Sequence, residues 1–320
     1  MKMLLALLVA AGATLLAPAL RADEFPSRPI TFIAVFGAGS SSDTICRIIA
    51  DPLGKALNQP IVVEDRPGAD GAVAAQYVQR ANPDGYTLML ATNSPLSADP
   101  FLLRHINYDP VQDFTPVTRV GSFTNLVVVN PSLPIHTVAE LVAYAKANPG
   151  KVSFASGNTS GVVGGKTFAH WAGLDMVHVP YKSTALGIED VIAGRVSMMV
   201  LDYTVALPHI ASGQVRPLAV TRIKRSSLSP DLPTMDEAGI EGFDLDAWAG
   251  LVAPAHTPRE IVARLNTELR KIIDAPETKA KFRNVGFEGF SSTPGEFGDF
   301  IKAQLGKWQK MVSDAGIQPE

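Results

Sequence analysis

Ile30-Thr31-Phe32-Ile33-Ala34-Val35-Phe36-Gly37-Ala38-Gly39-Ser40-Ser41-Ser42-Asp43 is the stretch on which the fold turns. An apolar run of strand length (30–35) gives way to a loop of small residues and then, without a gap, to a helical period. Ile45, Ile48, Ile49, Leu53 and Leu57 recur at helical spacing over 43–57. Pro52 falls inside that helix and is expected to kink or interrupt it. A second short strand is predicted at 61–63. Pro67-Gly68 then turns into a helix over 72–81, and Pro83-Asp84-Gly85 turns into a third strand at 86–91. Strand, helix, strand, helix, strand is the unit of an open parallel sheet.

The pattern repeats further along. Strands are predicted at 126–129, 152–155, 177–181, 196–201 and 217–221, with helical stretches between them. Thr137 and Glu140 form a capping box that opens a helix over 138–148. A polar, Pro-rich stretch (222–233) follows, and then a strand at 245–253 that returns to the first series. Thr257 as N-cap, Pro258 and Glu260 introduce a helix over 261–273. Thr293 and Glu296 repeat the device, and Phe297, Phe300, Ile301, Leu305, Trp308 and Val312 make one apolar stripe that ends at Gly316. The result is two α/β lobes, each a mostly parallel sheet flanked by helices, with crossings near 120–125 and 226–248. Residues 23–122 and 247–320 make the first lobe and 123–246 the second. A cleft between such lobes lies where open sheets bind ligands, beyond the carboxyl ends of their strands.

Composition agrees with this reading and excludes others. The 320 residues are 46% hydrophobic and 18% charged, so the chain has the apolar content to build cores and is not disordered. Lys and Arg number 28 against 31 Asp and Glu, with no basic run, which argues against a nucleic-acid partner. One cysteine, Cys46, excludes a disulfide scaffold and a cysteine-based zinc site, and is expected to be a buried structural thiol. Residues 1–22 read as an export signal. Lys2 precedes an apolar run over 3–16, and cleavage is expected after Ala19 or Ala22. The run is shorter than a membrane-spanning helix needs, so no anchor is expected.

Two loops stand out as candidate sites. Phe36 to Asp43 places Ser40, Ser41 and Ser42 at a helix N-terminus, where unpaired N–H groups and the helix dipole favour an anion. Its Gly37-x-Gly39 lacks the third glycine of a dinucleotide fingerprint, since Ser42 stands there. Ser156-Gly157-Asn158-Thr159-Ser160-Gly161 is the second loop, facing the first across the cleft. Gly165-Lys166-Thr167 imitates the end of a phosphate loop, but Ser160 occupies the place of the required first glycine. No serine lies in G-x-S-x-G, and the six histidines show no metal-ligand spacing, so no catalytic group, metal or cofactor is assigned. An exported hydrolase is the alternative. It requires a nucleophile–base pair, such as His178 or His209 beside a cleft serine. His178 is read first as a packed strand residue.

Several stretches together resemble the Bug family of tripartite tricarboxylate transporter (TctC-like) substrate-binding proteins, from Phe25 to the C-terminus. They include Val62-Val63-Glu64-Asp65-Arg66-Pro67-Gly68-Ala69, Pro83-Asp84-Gly85-Tyr86-Thr87-Leu88, Tyr108-Asp109-Pro110, Ala147-Asn148-Pro149-Gly150-Lys151, Val177-His178-Val179-Pro180-Tyr181-Lys182 and Ala206-Leu207-Pro208-His209-Ile210. The resemblance implies a periplasmic-binding-protein fold of the Venus-flytrap, type II-like kind that closes on a small carboxylate. Di- and tricarboxylates, acidic amino acids and aromatic carboxylates are the candidates, and the ligand is held by backbone N–H groups and hydroxyls. By position, Phe36, Ser40, Ser41, Ser42, Asp43, Thr92, Asn93 and Ser94 are implied as first-lobe contacts. Asn158, Thr159, Ser160, Tyr181, Lys182, Asp202 and Tyr203 are implied for the second lobe. The chain departs from the family where Val35 replaces the usual Pro before Phe36, where Ser40 breaks a Gly-Gly pair, and where Ser183 ends the usual Tyr-Lys-Gly. A periplasmic monomer follows, with no enzymatic activity, no cofactor and membrane subunits of the transporter as partners.

Overall fold

The computed structural model describes residues 25–319. The predicted signal segment and its cleavage sites lie outside the described residues. The first strand, β1 (Ile30–Ala34), leads into helix α1 (Ser41–Leu57), followed by β2 (Ile61–Asp65), α2 (Ala72–Gln79) and β3 (Thr87–Thr92). A π-helical turn (Ser94–Ala98) and the short α3 (Asp99–Leu102) lead to β4 (Phe114–Phe123). The second series runs β5 (Asn125–Val129), α4 (Val138–Ala147), β6 (Ser153–Ser156), α5 (Thr159–Trp171) and β7 (Val177–Pro180). It continues with α6 (Thr184–Ile192), β8 (Met198–Asp202), α7 (Tyr203–Ala211) and β9 (Arg216–Val220). The chain then returns as β10 (Ala247–Pro254), α8 (Arg259–Asp274), α9 (Pro276–Asn284), β11 (Phe287–Gly289) and α10 (Pro294–Asp314).

The strands form a six-stranded sheet, β11-β4-β10-β3-β1-β2, and a five-stranded sheet, β7-β6-β8-β5-β9. Both are mixed rather than mostly parallel. β1 runs parallel to β2 and β3, but β10 is antiparallel to β3 and β4, and β11 to β4. In the second sheet β6 runs parallel to β7 and β8, while β5 is antiparallel to β8 and β9. The parallel pairs come from strand–helix–strand units, which force the same direction. The antiparallel strands are those at which the chain crosses between sheets or returns.

Alternation along the strands explains why helices cover both faces. Ile30, Phe32 and Ala34 point with Leu88 and Leu90 toward α1 and α8, whereas Ile33, Met89 and Ala91 meet α2, Trp248 and the first half of α10. The second sheet divides the same way. Val127, Phe154 and Val200 face α4 and α5, while Leu126, Ala155 and Leu201 face α6 and α7. Helix α10 belongs to both bodies. Phe297 and Ile301 pack under the first sheet, and Trp308, Met311 and Val312 complete the core of the second. Over 21 residues such a helix is about 31 Å long, enough to reach across.

Several local expectations meet their outcome here. Both capping boxes form, at Thr137/Glu140 and Thr293/Glu296. Cys46 is fully buried, as a packed thiol should be. Pro52 does not end α1. Ile45, Ile49, Leu53 and Leu57 are buried on either side of it, and their packing outweighs the lost hydrogen bond. Thr257 does not cap α8; its hydroxyl donates instead to the Pro254 carbonyl at 2.8 Å, and the helix starts at Arg259. Strands β4 and β11 and helix α9 are additions to the sequence reading.

Candidate functional site

A cavity of about 550 Å³ lies where the strand ends of the two sheets face each other. The parallel strands converge on it by their carboxyl ends. β1 delivers Phe36 to Ser42, β2 delivers Pro67 to Asp70, and β3 delivers Thr92, Asn93 and Ser94. From the other sheet, β6 delivers Gly157, Asn158 and Ser160, β7 delivers Lys182, and β8 delivers Asp202. The floor is Phe123, Asn125 and Ala247, at the ends of β4, β5 and β10 where the chain crosses between sheets. A larger hollow of about 790 Å³ is lined by Val142 of α4, His170 and Trp171 of α5 and the segment 238–241, with no strand residue in its lining.

Four helices begin at this cleft: α1, α5, α6 and α7. Each is closed by a short polar residue at its N-cap. Asp43 N donates to Ser40 Oγ at 3.2 Å, and Gly161 N to Asn158 Oδ1 at 2.8 Å. Leu186 N donates to Ser183 Oγ at 3.4 Å, and Val205 N to Asp202 Oδ1 at 3.3 Å. The caps take one amide each, so first-turn N–H groups remain for a ligand, and four positive helix ends reinforce one another. This arrangement stabilises negative charge without an arginine. Lys182 is the cationic side chain on the wall.

The two walls already touch. Ser41 Oγ donates to Asp202 Oδ1 at 3.2 Å, and Asn93 Nδ2 to Ser160 Oγ at 3.3 Å. Behind the floor, Arg119 donates to Asp246 at 3.1 Å, and Arg222 forms an ion pair with Glu288. Ser227 donates to Glu288 from its amide at 2.8 Å, which ties the second crossing segment to β11. Thr204 Oγ1 donates to the Val285 carbonyl at 2.5 Å, fastening the start of α7 to the first sheet's side.

Of the residues singled out from sequence, Phe36, Ser40, Ser41, Ser42, Thr92, Asn93, Ser94, Asn158, Ser160, Lys182 and Asp202 stand on the cleft wall. Four do not. Asp43 turns inward, where its carboxylate accepts from Gly39 N at 2.9 Å and pairs with Arg47. Thr159 is 1% exposed, with its hydroxyl near Asp70 but outside hydrogen-bond geometry. Tyr181 gives its hydroxyl to Asp190 at 2.5 Å, and Tyr203 gives its own to the Leu228 carbonyl at 3.2 Å. Asp70 and Asn125 line the cleft and were not singled out. The serine triplet also divides its labour. Ser40 caps α1, Ser42 Oγ accepts from Phe36 N at 3.3 Å, and Ser41 alone reaches across.

The loop after β6 is held by contacts that carry a correction of chemistry. Ser156 Oγ lies 2.7 Å from His178 Nε2, the nucleophile–base spacing that a hydrolase needs. Ser156 is 1% exposed and stands behind Gly157 rather than on the wall, and the His178 ring stacks on Phe154. The pair therefore braces the loop from within and does not face a substrate. Gly157 itself is required. A Cβ there would stand 2.2 Å from the backbone of Ser183 and Thr184, so the two second-wall loops touch through this residue. The glycines that imitate a phosphate loop lie inside α5. Gly165 lets the helix approach the Phe154 ring, to within 2.3 Å of where a Cβ would be.

Two carboxyls on the wall are perturbed. Burial raises Asp202 above the usual carboxylate range, against the opposing hydrogen bonds from Val205 and Ser41. Asp70 has an exposed surface toward the cleft, yet the protein around it desolvates its carboxyl enough to raise it as well. Behind the wall, Asp99 is 1% exposed, and neither carboxyl oxygen meets a hydrogen-bond partner among the described residues. Burial first, and neighbouring Asp70 second, push its pKa up to about 9. No group of three or more His, Cys, Asp or Glu side chains suited to a metal occurs among the described residues.

Comparison with known proteins places this geometry. Residues 45–317 match the family described as the tripartite tricarboxylate transporter family receptor, TctC. The chain is 34% identical over 295 residues to a UPF0065 protein from the tcbD-tcbE intergenic region of Pseudomonas sp. strain P51, covering 91% of this chain and 88% of that one. Among solved structures it is similar to R. palustris Rpa4515 with adipate, with a TM-score of 0.86, 33% identity, and coverage of 92% of this chain and 100% of that chain. It is also similar to the periplasmic binding protein BugD, with a TM-score of 0.83, 30% identity, and the same coverage. A two-lobed α/β fold with an anion-favouring cleft, matched over nine-tenths of its length, is that of a solute-binding protein, and the chain belongs to the TctC family of tripartite tricarboxylate transporter receptors, the Bug-type binding proteins.

Proposed function

We propose that this chain captures a small carboxylate in the inter-lobe cleft and presents it to membrane subunits of a tripartite tricarboxylate transporter from the periplasm. The observation that carries the reading is the convergence of four helix N-termini and Lys182 on one cavity. Bound adipate in a structure of 33% identity supports the carboxylate class. Residues 23–122 and 247–320 act as one lobe and 123–246 as the other, except that the end of α10 (Trp308, Met311, Val312) packs with the second, and the crossings near 120–125 and 226–248 act as hinge. Closure is driven by the contacts that a ligand makes with both walls at once. The export segment is removed by cleavage after Ala19 or Ala22.

The test is a thermal-shift screen of the mature chain against aliphatic and aromatic mono-, di- and tricarboxylates. At least one is expected to raise Tm, and Ser41→Leu with Ser160→Leu is expected to abolish the rise. A screen in which no carboxylate moves Tm removes the carboxylate reading. A rise that survives the double variant moves the site elsewhere.

A further inference from the structure

The charges on the cleft wall fall into two separate places. Lys182 follows β7, at the edge of the second sheet, whereas Asp202 ends β8. Strand β6 lies between them, so two strand spacings, about 10 Å, separate the points from which they project. Asp70 adds a second carboxylate from the opposite wall. Ion pairs beside the cleft are Asp43–Arg47 behind the first loop, and Arg119–Asp246 and Arg222–Glu288 at the lobe crossing. Among the described residues none involves Lys182, Asp70 or Asp202. Asp202 accepts from neutral donors, Ser41 Oγ and Val205 N.

Two further groups on the wall want partners. Asn125 is 1% exposed and Thr92 is 4% exposed. Asn125 Nδ2 and Thr92 Oγ1 have no hydrogen-bond partner among the described residues. Asn125 is the direct neighbour of Asp202 in the antiparallel register of β5 and β8. A carboxylate acceptor and an unused amide donor thus stand side by side at one end of the cleft, and an unpaired ammonium at the other. Lys182 is exposed at the rim and offers attraction, whereas the other end, half-buried at Asp202 and buried at Asn125, holds an unpartnered amide donor, so a ligand group that answers Asp202 and Asn125 relieves a cost there. A dicarboxylate matches only the Lys182 end and sets a second acceptor, with no hydrogen to give, against Asp202, which itself accepts from Ser41 and Val205.

Building on the carboxylate reading above, we infer that the cleft prefers a monocarboxylate with a hydrogen-bond-donating hydroxyl or ammonium at its far end over the dicarboxylate of equal length. The ligand carboxylate sits at Lys182 and the N-termini of α5 and α6, and the donor group sits on Asp202. A hydroxyl there also accepts from Asn125 Nδ2; an ammonium instead answers the charge of Asp70. Allowing about 3 Å for the hydrogen bond at each end leaves about 4 Å between the backbone-set points, and the long Lys182 side chain can lean outward to lengthen it, so probes of two lengths are compared.

The test is titration calorimetry of the mature chain near neutral pH with two matched sets of probes. One is succinate, 4-hydroxybutanoate and 4-aminobutanoate; the other is adipate, 6-hydroxyhexanoate and 6-aminohexanoate. In at least one set the hydroxy or amino acid is expected to bind about tenfold or more tightly than the dicarboxylate, and which of the two wins identifies the donor. Asp202→Asn keeps the cap of α7, because Asn is as good an N-cap, and is expected to reduce that preference to within about threefold. Asp70→Asn tests the same direction should the first variant not fold, since Asn tolerates the left-handed backbone at φ 51. Equal or tighter binding of the dicarboxylates, or a preference unchanged in the folded variants, overturns the inference and leaves the carboxylate reading standing. If no probe binds and no other carboxylate raises Tm, the reading itself fails and the inference with it.

Discussion

Asp99→Asn is expected to stabilise the protein, by an amount that grows with pH. Asp99 sits at the start of α3, beneath the cleft wall, 1% exposed and without a partner for either oxygen. Its pKa of about 9 lies far above the ordinary 3.8, so the folded protein holds this proton at neutrality and the unfolded chain does not. A raised folded-state value means that the carboxyl's contribution to stability is complete below 3.8 and is lost as pH climbs toward 9. Each pH unit in that window costs about 1.4 kcal/mol, so the wild type has given up about 4 kcal/mol by pH 7 relative to acid. Asn has nearly the same shape and no proton to lose. After allowing for an imperfectly bonded amide, a gain of about 2–4 kcal/mol at pH 7 remains, falling by about 3 kcal/mol to near zero around pH 5. Guanidinium unfolding of both proteins near pH 5, 7 and 8.5 measures it. A variant less stable than wild type at pH 7, or a difference that ignores pH, would refute the reasoning, because it would mean that ionised Asp99 is being compensated.

Other expectations follow from single contacts. Gly157→Ala forces apart the two second-wall loops, which meet within 2.2 Å of the new Cβ. It should cost about 1–3 kcal/mol and abolish the Tm rise given by whichever carboxylate raises Tm in wild type; full retention of that rise would count against the loop geometry. Gly306→Ala, on the exposed side of α10 with open space around it, should add roughly 0.5–1 kcal/mol, and a loss in chemical denaturation would contradict it. Trp308→Ala removes a 1%-exposed side chain from the second core and should cost about 3–5 kcal/mol; a loss below about 1 kcal/mol would show that α10 does not hold that core. Cys46 should resist a thiol reagent until the protein is unfolded, because it is inaccessible and burial pushes its thiol pKa up. Labelling of the native protein within minutes would be the contrary result.

The parts of the fold that sequence makes legible are those written locally. The run from Ile30 to Asp43 and the capping boxes at Thr137 and Thr293 specify strand, loop and helix start within a few residues, and all are found in place. Strand β4 is hidden because Pro116 and Gly121 interrupt its alternation. The structure accommodates the proline beside an irregularity in the β4–β10 register, where a missing N–H is tolerated. Cleft residues supplied by long-range pairing are equally hidden. Asn125 becomes a floor residue only because β5 lies against β8, and the only local trace is a polar residue at the head of the apolar run Leu126-Val127-Val128-Val129. Tyr181 and Lys182 show the limit of placing side chains by position. Neighbours in an extended segment point opposite ways, so one reaches the cleft and the other Asp190.

The double membership of α10 has a consequence for the order in which this molecule is made. Trp308, Met311 and Val312 are synthesised after every strand of the second sheet, yet the core under one face of that sheet is incomplete without them. The first sheet waits as well, since β10 stands between β3 and β4 and is translated after the whole of the second sheet. The face of the second sheet covered by α6 and α7 draws only on residues of the second series, but its other face and the first sheet wait for contacts that are distant in sequence and slow to form. A nascent chain of this design therefore stays incompletely packed until α10 has been made, and a truncation before α10 leaves apolar faces of both sheets uncovered.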